Sequence, residues 1–227
     1  MSHFLKVEGM PGGLRPGRGL TWIIVAMLSL ACTTDRAGAE EFDLVAEKLQ
    51  LAPGMNVADV GAGDGSWSVQ IARAVGNQGH VWATEITRED VDEIEDRIGE
   101  EALTNVSLIL GGQDETGLPP GCCDAVLLRL VYHHFVDPES MKESLLESLR
   151  PGGILVVIEI RPENSWPDLD DVPDRGGHGI EPDALRSELS AAGFEFLELQ
   201  DDWNEDTLRY CSVFRRPHVT KFVRSSG

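Results

Sequence analysis

Three glycines stand at every second position at the end of Val57-Ala-Asp-Val-Gly-Ala-Gly-Asp-Gly65, with Asp59 before them and Asp64 among them. Gly61, Gly63 and Gly65 let the main chain turn sharply and let a ligand lie against it without meeting a Cβ. An apolar run precedes them, and behind them SWSVQIARAVG sets Val69, Ile71, Ala72 and Val75 at helical spacing, so the loop opens on a helix N-terminus. Glu85 follows 24 residues after Gly61, the spacing at which a carboxylate accepts two hydrogen bonds from a ribose diol; its other use would be to cap the helix that begins after Thr87. Asp114, in GGQDETGLPPGCCD, could accept from an exocyclic amine or serve turn chemistry alone. Further on stand His133 and His134, adjacent imidazoles of the kind that take up a proton near neutral pH. Adjacent side chains point apart, so one of the pair, His134, is expected to face a substrate while the other caps or packs. His178, in GGHGIEP, is expected to close over the acceptor from the flap as a further catalytic candidate, and Tyr132 and Glu159 are expected on the same substrate side.

The elements that must position these residues alternate short β-branched runs with helical patterns, the mark of βαβ units and a parallel sheet. Strands are expected near 56–60, 80–85, 106–110, 124–130 and 154–160, with helices over 41–51, 66–75, 88–101, 138–149 and 182–192. Asp137 precedes Pro138 as N-cap and first helical residue. After Gly193, FEFLELQ and LRYCSVFRR are joined only by DDWNED, too short a link for a helical crossover, so they are expected to pair as an antiparallel hairpin at one edge. The Pro-, Asp- and Gly-rich loop over 161–179 is long enough to form a flap over the carboxyl edge of the sheet, where such sheets bind ligands.

Taken in order, these residues resemble the class I S-adenosylmethionine-dependent methyltransferases over nearly everything from Glu41 to about Arg216. VADVGAGDG looks like that family's first motif, GQDETGLPPGCCDAVLL its adenine loop and fourth strand, RPGGILVVIE its fifth-strand motif, and HHF a motif beside the transferred methyl in its small-molecule members. The resemblance implies a Rossmann-like, seven-stranded, mostly parallel sheet with an antiparallel C-terminal hairpin and helices on both faces. It also implies S-adenosyl-L-methionine as cofactor and a small-molecule acceptor. Gly61, Gly63 and Gly65 would approach the cofactor, Asp59 would help place its methionine amine, Glu85 would hold the ribose hydroxyls and Asp114 the adenine amine. Arg129 departs from the pattern, standing where small residues are common, on the methionine side. A nicotinamide-dependent oxidoreductase would share the glycines and the acid, but its G-x-G-x-x-G fingerprint fails here because the third glycine comes one residue early and Ser66 takes its place. A non-catalytic exported binding module on the same fold is the remaining alternative.

The formal charge of −20, from 39 acidic against 19 basic residues, argues against nucleic acid as a partner. Cys122 and Cys123 are adjacent and Cys211 is distant, so no metal-ligand spacing is present and no metal is expected; these thiols read as buried core groups. Residues 1–39 differ from the rest, with Arg15 and Arg18 ahead of the apolar stretch Leu20–Cys32, whose 13 residues fall short of the about 20 that span a bilayer. They are read as a secretory leader, 40–216 as the methyltransferase-like domain and 217–227 as a tail. LSLAC resembles a lipoprotein cleavage box that would attach Cys32 to a membrane, AGA before Glu40 resembles an ordinary signal peptidase site, and a start at Met10 would leave a shorter basic leader. An exported protein, periplasmic or membrane-anchored, is the expectation. Fractionation of the wild type beside Cys32→Ala checks it: lost membrane association marks lipidation, a shortened soluble protein marks cleavage after Ala39, and a full-length cytoplasmic protein refutes both.

Overall fold

Strands β1 (Asn56–Val60), β2 (His80–Glu85), β3 (Val106–Leu110), β4 (Cys123–Arg129) and β5 (Leu149–Ile160) run parallel, while β6 (Glu195–Gln200) and β7 (Arg209–Arg215) are antiparallel to their neighbours. Their spatial order is β3-β2-β1-β4-β5-β7-β6 in this computed structural model, which describes residues 38–163, 172–173 and 178–218. This is the expected Rossmann-like sheet with its terminal hairpin, and β7 sits between β5 and β6. The chain divides into two compact units, 1–40 and 41–227, of which the second carries the sheet. Residues 1–37 of the expected leader, most of the 161–179 loop and most of the tail lie outside the described residues. Among the described residues no helix is long and apolar enough to cross a membrane.

Alternation along the central strands feeds two apolar layers, as a sheet covered by helices on both faces requires. Toward one face, Val57, Leu127 and Val156 pack against Val45 of α1 (38–48) and Ile71, Ala72 and Val75 of α2 (Ser66–Val75). Toward the other, Ala58, Val126, Leu128 and Val157 meet Met141 and Leu145 of α4 (Pro138–Ser148) and Leu185 and Leu189 of α5 (Pro182–Ala191). Ile94 of α3 (Arg88–Glu100) closes a smaller cluster with Ala62 and Ala83. Thr87 caps α3 by accepting from Asp90 N at 3.1 Å, and Asp137 caps α4 by accepting from Ser140 N at 3.1 Å.

Two of the boundaries that depart from expectation have clear local reasons. α1 ends at 48 rather than 51, because Gln50 takes a left-handed φ of 54° and the Leu51 N–H returns to Ala46 O at 2.9 Å, a turn that closes a helix. β5 begins at Leu149 rather than Ile154: Cys123 pairs with Leu149 and Ala125 with Ile154, so Arg150–Gly153 are absorbed as an irregularity within the strand.

Glu41, buried, joins α1 to the far strands. Its Oε1 accepts from Trp203 Nε1 at 3.1 Å and from the Arg209 guanidinium, and its Oε2 from Arg129 at 3.4 Å. Burial alone would raise its pKa, but the charges of Arg129 and Arg209 and the bonds from Trp203 and Arg209 outweigh it and hold the carboxyl below the usual 4.5. A depressed folded value means that the stabilisation is whole above the unfolded value and is lost as pH falls through the folded one. Glu41→Gln is expected to lower stability at neutral pH by about 1.5–3 kcal/mol, with a smaller deficit in strong acid. Urea unfolding of both proteins across the acid range measures the difference; an equal deficit at every pH would assign the loss to packing.

Candidate active site

β1 and β4 are neighbours in the sheet, yet the chain leaves β1 for α2 on one face and β4 for α4 on the other. The connections therefore diverge and leave a crevice at the carboxyl edge, where open α/β sheets bind their ligands. A cavity of about 560 Å³ lies there, a size that suits a cofactor or small substrate. Gly61 and Gly63 after β1, Glu85 at the end of β2, Gln113 and Glu115 after β3, and Arg129, Val131 and His134 at and after β4 all line it.

The glycine loop meets two different demands. Gly61 has φ 71°, and a Cβ there would fall 2.5 Å from Val131 Cγ2, so its bareness lets the loop close against the segment after β4. Gly63 has φ 56°, and a Cβ there would meet nothing within 4 Å, so its bare side borders open cavity. Its N–H donates to Glu85 Oε1 at 2.6 Å, and Glu85 Oε2 accepts from Ile86 N at 3.1 Å. With Thr87 capping α3, Glu85 stays on the cavity wall, which Asp90 and Glu115 also line. Gly65, expected to approach the cofactor, lies off the lining; a Cβ there would sit 2.9 Å from Ile94 Cγ2, so helix packing requires it.

Two further residues expected at the cofactor stand off the cavity wall, contrary to that placement. Asp114 is exposed and off the cavity wall, whereas its neighbours Gln113 and Glu115 line it, in a tight turn that Gly112 N closes on Glu115 O at 2.9 Å. Asp59 lies beneath the loop rather than on the wall, fully buried, and accepts from Ser68 Oγ at 2.6 Å. Burial pushes its carboxyl up to about 6 against the pull of Ser68, and the nearby Glu85 adds to the rise. Arg129 does line the cavity, with its guanidinium 4.9 Å from the Trp67 ring centre and bonded to Glu41. Stacking and pairing together account for a large cation at this position.

At the end of β4, Leu130 adopts φ 57°, rare for a branched side chain, and swings the chain into the 3₁₀ turn Tyr132–His134. Successive residues of such a turn project about 120° apart. Tyr132 therefore enters the core, where its hydroxyl donates to Glu188 Oε2 of α5 at 2.8 Å; the expected substrate contact is corrected. His133, also buried, sets Nδ1 2.6 Å from Glu159 Oε2, and its backbone N–H donates to Oε1 at 3.3 Å. Glu159 is wholly buried behind it, holding the His133 ring and not lining the cavity as expected. His134 alone of the three residues borders the cavity; burial and the His133 and His178 imidazoles hold its pKa below the usual value.

His178 joins them from 45 residues away, its Nε2 3.0 Å from His133 Nε2. Its strand-like segment is tied to the end of β5 by Glu163 N to His178 O and Ile180 N to Ile160 O, both 3.0 Å. Gly179, at φ 127°, allows that close approach, since a Cβ would come within 2.7 Å of Ile160 O. Gln113, Glu115 and Val131 were not singled out by sequence spacing; a polar residue beside Asp114 was the only cue to the first two.

A family profile described as a methyltransferase domain matches residues 51–194. The ubiquinone/menaquinone biosynthesis C-methyltransferase UbiE of Vibrio campbellii is 28% identical over 108 residues, 47% of this chain and 42% of that protein, so the chain matches less than half the length of such curated relatives. A SAM-dependent methyltransferase from Aquifex aeolicus superposes with TM-score 0.65 at 20% identity, over 77% of this chain and 88% of that one. Phosphoethanolamine N-methyltransferase 2 of Haemonchus contortus, solved with S-adenosyl-L-methionine, superposes with TM-score 0.64 at 12% identity, over 79% and 53% of the two chains. At these identities the structural likenesses speak for the fold.

The buried carboxyl beneath the loop yields a test. Because the folded value of Asp59, about 6, exceeds the usual 3.8, stability is whole below the usual value, declines as pH rises to the folded one, and stays lower above it. Asp59→Asn keeps an acceptor for Ser68 and removes the buried charge. It is expected to raise stability at neutral pH by about 1–3 kcal/mol and to flatten the pH dependence between those two values, as read by denaturant unfolding. A destabilised variant at neutral pH would show instead that the ionised form is needed for folding.

Proposed function

The chain belongs to the methyltransferase-domain family, and from that premise we propose that it transfers a methyl group from S-adenosyl-L-methionine to a nucleophile on a small-molecule acceptor. One observation carries the reading: a single cavity has the bare Gly63 and the Glu85 carboxylate on one part of its wall and His134 on another. The residues fit the cofactor by their chemistry. Glu85 presents a carboxylate suited to a vicinal diol, Gly61 and Gly63 leave the loop free of side chains, and Gln113 and Glu115 offer amide and carboxylate groups to a heterocycle. Bound there, S-adenosylmethionine supplies an electrophilic methyl: the acceptor lone pair forms the new bond to carbon while the carbon–sulfur bond breaks and leaves its electron pair on sulfur. The chain's own work is alignment of the acceptor, exclusion of water and handling of the acceptor proton. Phe135, Val136 and Met141 provide apolar wall beside His134, the lining group placed to receive that proton.

Calorimetry with S-adenosylmethionine tests the reading. Glu85→Ala is expected to weaken binding by about 1.5–3 kcal/mol with the fold retained, and His134→Gln to leave cofactor binding intact while lowering turnover on any acceptor found by metabolite screening. Wild-type protein that binds no cofactor at millimolar concentration would overturn the proposal.

A further inference from the structure

Three histidines converge where His134 borders the cavity, in a pattern that a proton-handling role alone does not require. We propose that His133, His134 and His178 form a binding site for one divalent cation of the zinc class. One ring nitrogen from each lies within 4.8 Å of the others, and His133 Nε2 and His178 Nε2 are 3.0 Å apart. A tetrahedral zinc-type ion with nitrogen ligands at about 2.05 Å has its donors about 3.4 Å apart, so slight separation of this pair and modest closure of His134 meet the requirement.

Second, the buried Glu159 carboxylate engages Nδ1 of His133 at 2.6 Å, and Oε2 is itself held by the Ile160 N–H at 3.2 Å. A neutral imidazole whose Nδ1–H is donated to a carboxylate presents Nε2 as a bare lone pair, the arrangement by which proteins orient and strengthen a histidine ligand. In that tautomer the lone pair of His133 Nε2 faces the His178 ring nitrogen 3.0 Å away. The ring centres of His133 lie 4.2 Å from His134 and 4.7 Å from His178, so three imidazoles share a space in which two protonated rings would repel. A cation between the nitrogens satisfies all three at once.

Three imidazole donors suit zinc, cobalt, nickel or copper rather than calcium or magnesium, which prefer oxygen. Three protein ligands also leave a fourth position, the mark of a site that takes substrate or water rather than one that is purely structural. Because His134 lines the cavity, the natural fourth ligand is an oxygen or sulfur donor on the acceptor, such as a hydroxyl or thiol; this last step rests on the methyltransferase reading, whereas the cation site rests on its own geometry. In the loaded site His134 acts as a ligand, and the cation takes over control of the acceptor proton. The chain's formal net charge of −20 favours attraction of cations in general.

The full chain, stripped with a chelator, is titrated with Co²⁺ as the spectroscopic probe. One equivalent is expected to bind with tetrahedral ligand-field absorption, to be displaced by Zn²⁺, and to report three imidazoles by X-ray absorption. His133→Ala and His178→Gln should each abolish stoichiometric binding, Glu159→Gln should weaken it about 10- to 100-fold, and the Cys122→Ser/Cys123→Ser double variant should retain it. Wild-type protein that binds neither ion stoichiometrically overturns the proposal without recourse to any variant. So does a sulfur-containing first shell, or undiminished binding in a double variant lacking His133 and His178. Calorimetry with S-adenosylmethionine on the same samples separates the two ideas, since cofactor binding without metal defeats only the cation site and metal binding without cofactor defeats only the methyltransferase.

Discussion

Strands β1 and β4 lie side by side while their following helices go to opposite faces of the sheet, and every feature of the site depends on that divergence. Were both connections on one face, the two loops would pack on each other and close the carboxyl edge. Because they part, the edge stays open, and the gap is narrowed only where side chains are absent. Gly61 lets the first loop come against Val131, and Gly63 leaves its own side of the wall bare. The left-handed Leu130 then turns the chain back across the opening so that His134 borders it. Backbone geometry, more than any one side chain, makes the cavity.

Three buried acids show three ways of keeping a carboxylate inside a protein. Glu41 is surrounded by two guanidiniums and an indole N–H, and its pKa falls despite burial. Glu159 is bonded to the His133 ring and to two backbone N–H groups, the arrangement expected of a group that orients another. Asp59 has one hydroxyl partner and a like charge nearby, and its pKa rises. A carboxyl left so poorly compensated directly beneath the ligand-facing loop is the pattern of a position where stability yields to function.

The order of strands and helices was legible in the sequence because it rests on local periodicity, as were the glycine loop and the cap Asp137, whereas the cap Thr87 was not. Errors fell where a few residues of irregular backbone decide direction. Asp114 reads as a cavity acid until the Gly112–Glu115 turn places it outside. Tyr132 and His134 are two residues apart, yet the 3₁₀ turn sends one to Glu188 in the core and the other to the cavity.

By itself, then, the sequence determined a parallel α/β sheet, a ligand-facing loop after the first strand and an acid after the second. Each of these follows from residue type and spacing within some thirty positions, the range over which hydrophobic period and chain stiffness constrain structure. Only the tertiary structure decided that Glu159, 26 residues beyond His133, stands behind its ring, and that His178, 45 residues beyond, meets its other nitrogen. No cysteine spacing announced a metal site, and no local pattern announced three imidazoles sharing one space. Their meeting depends on β4 and β5 lying in register and on the segment at Gly179 docking against Ile160, contacts between distant parts of the chain that exist only once the sheet has formed.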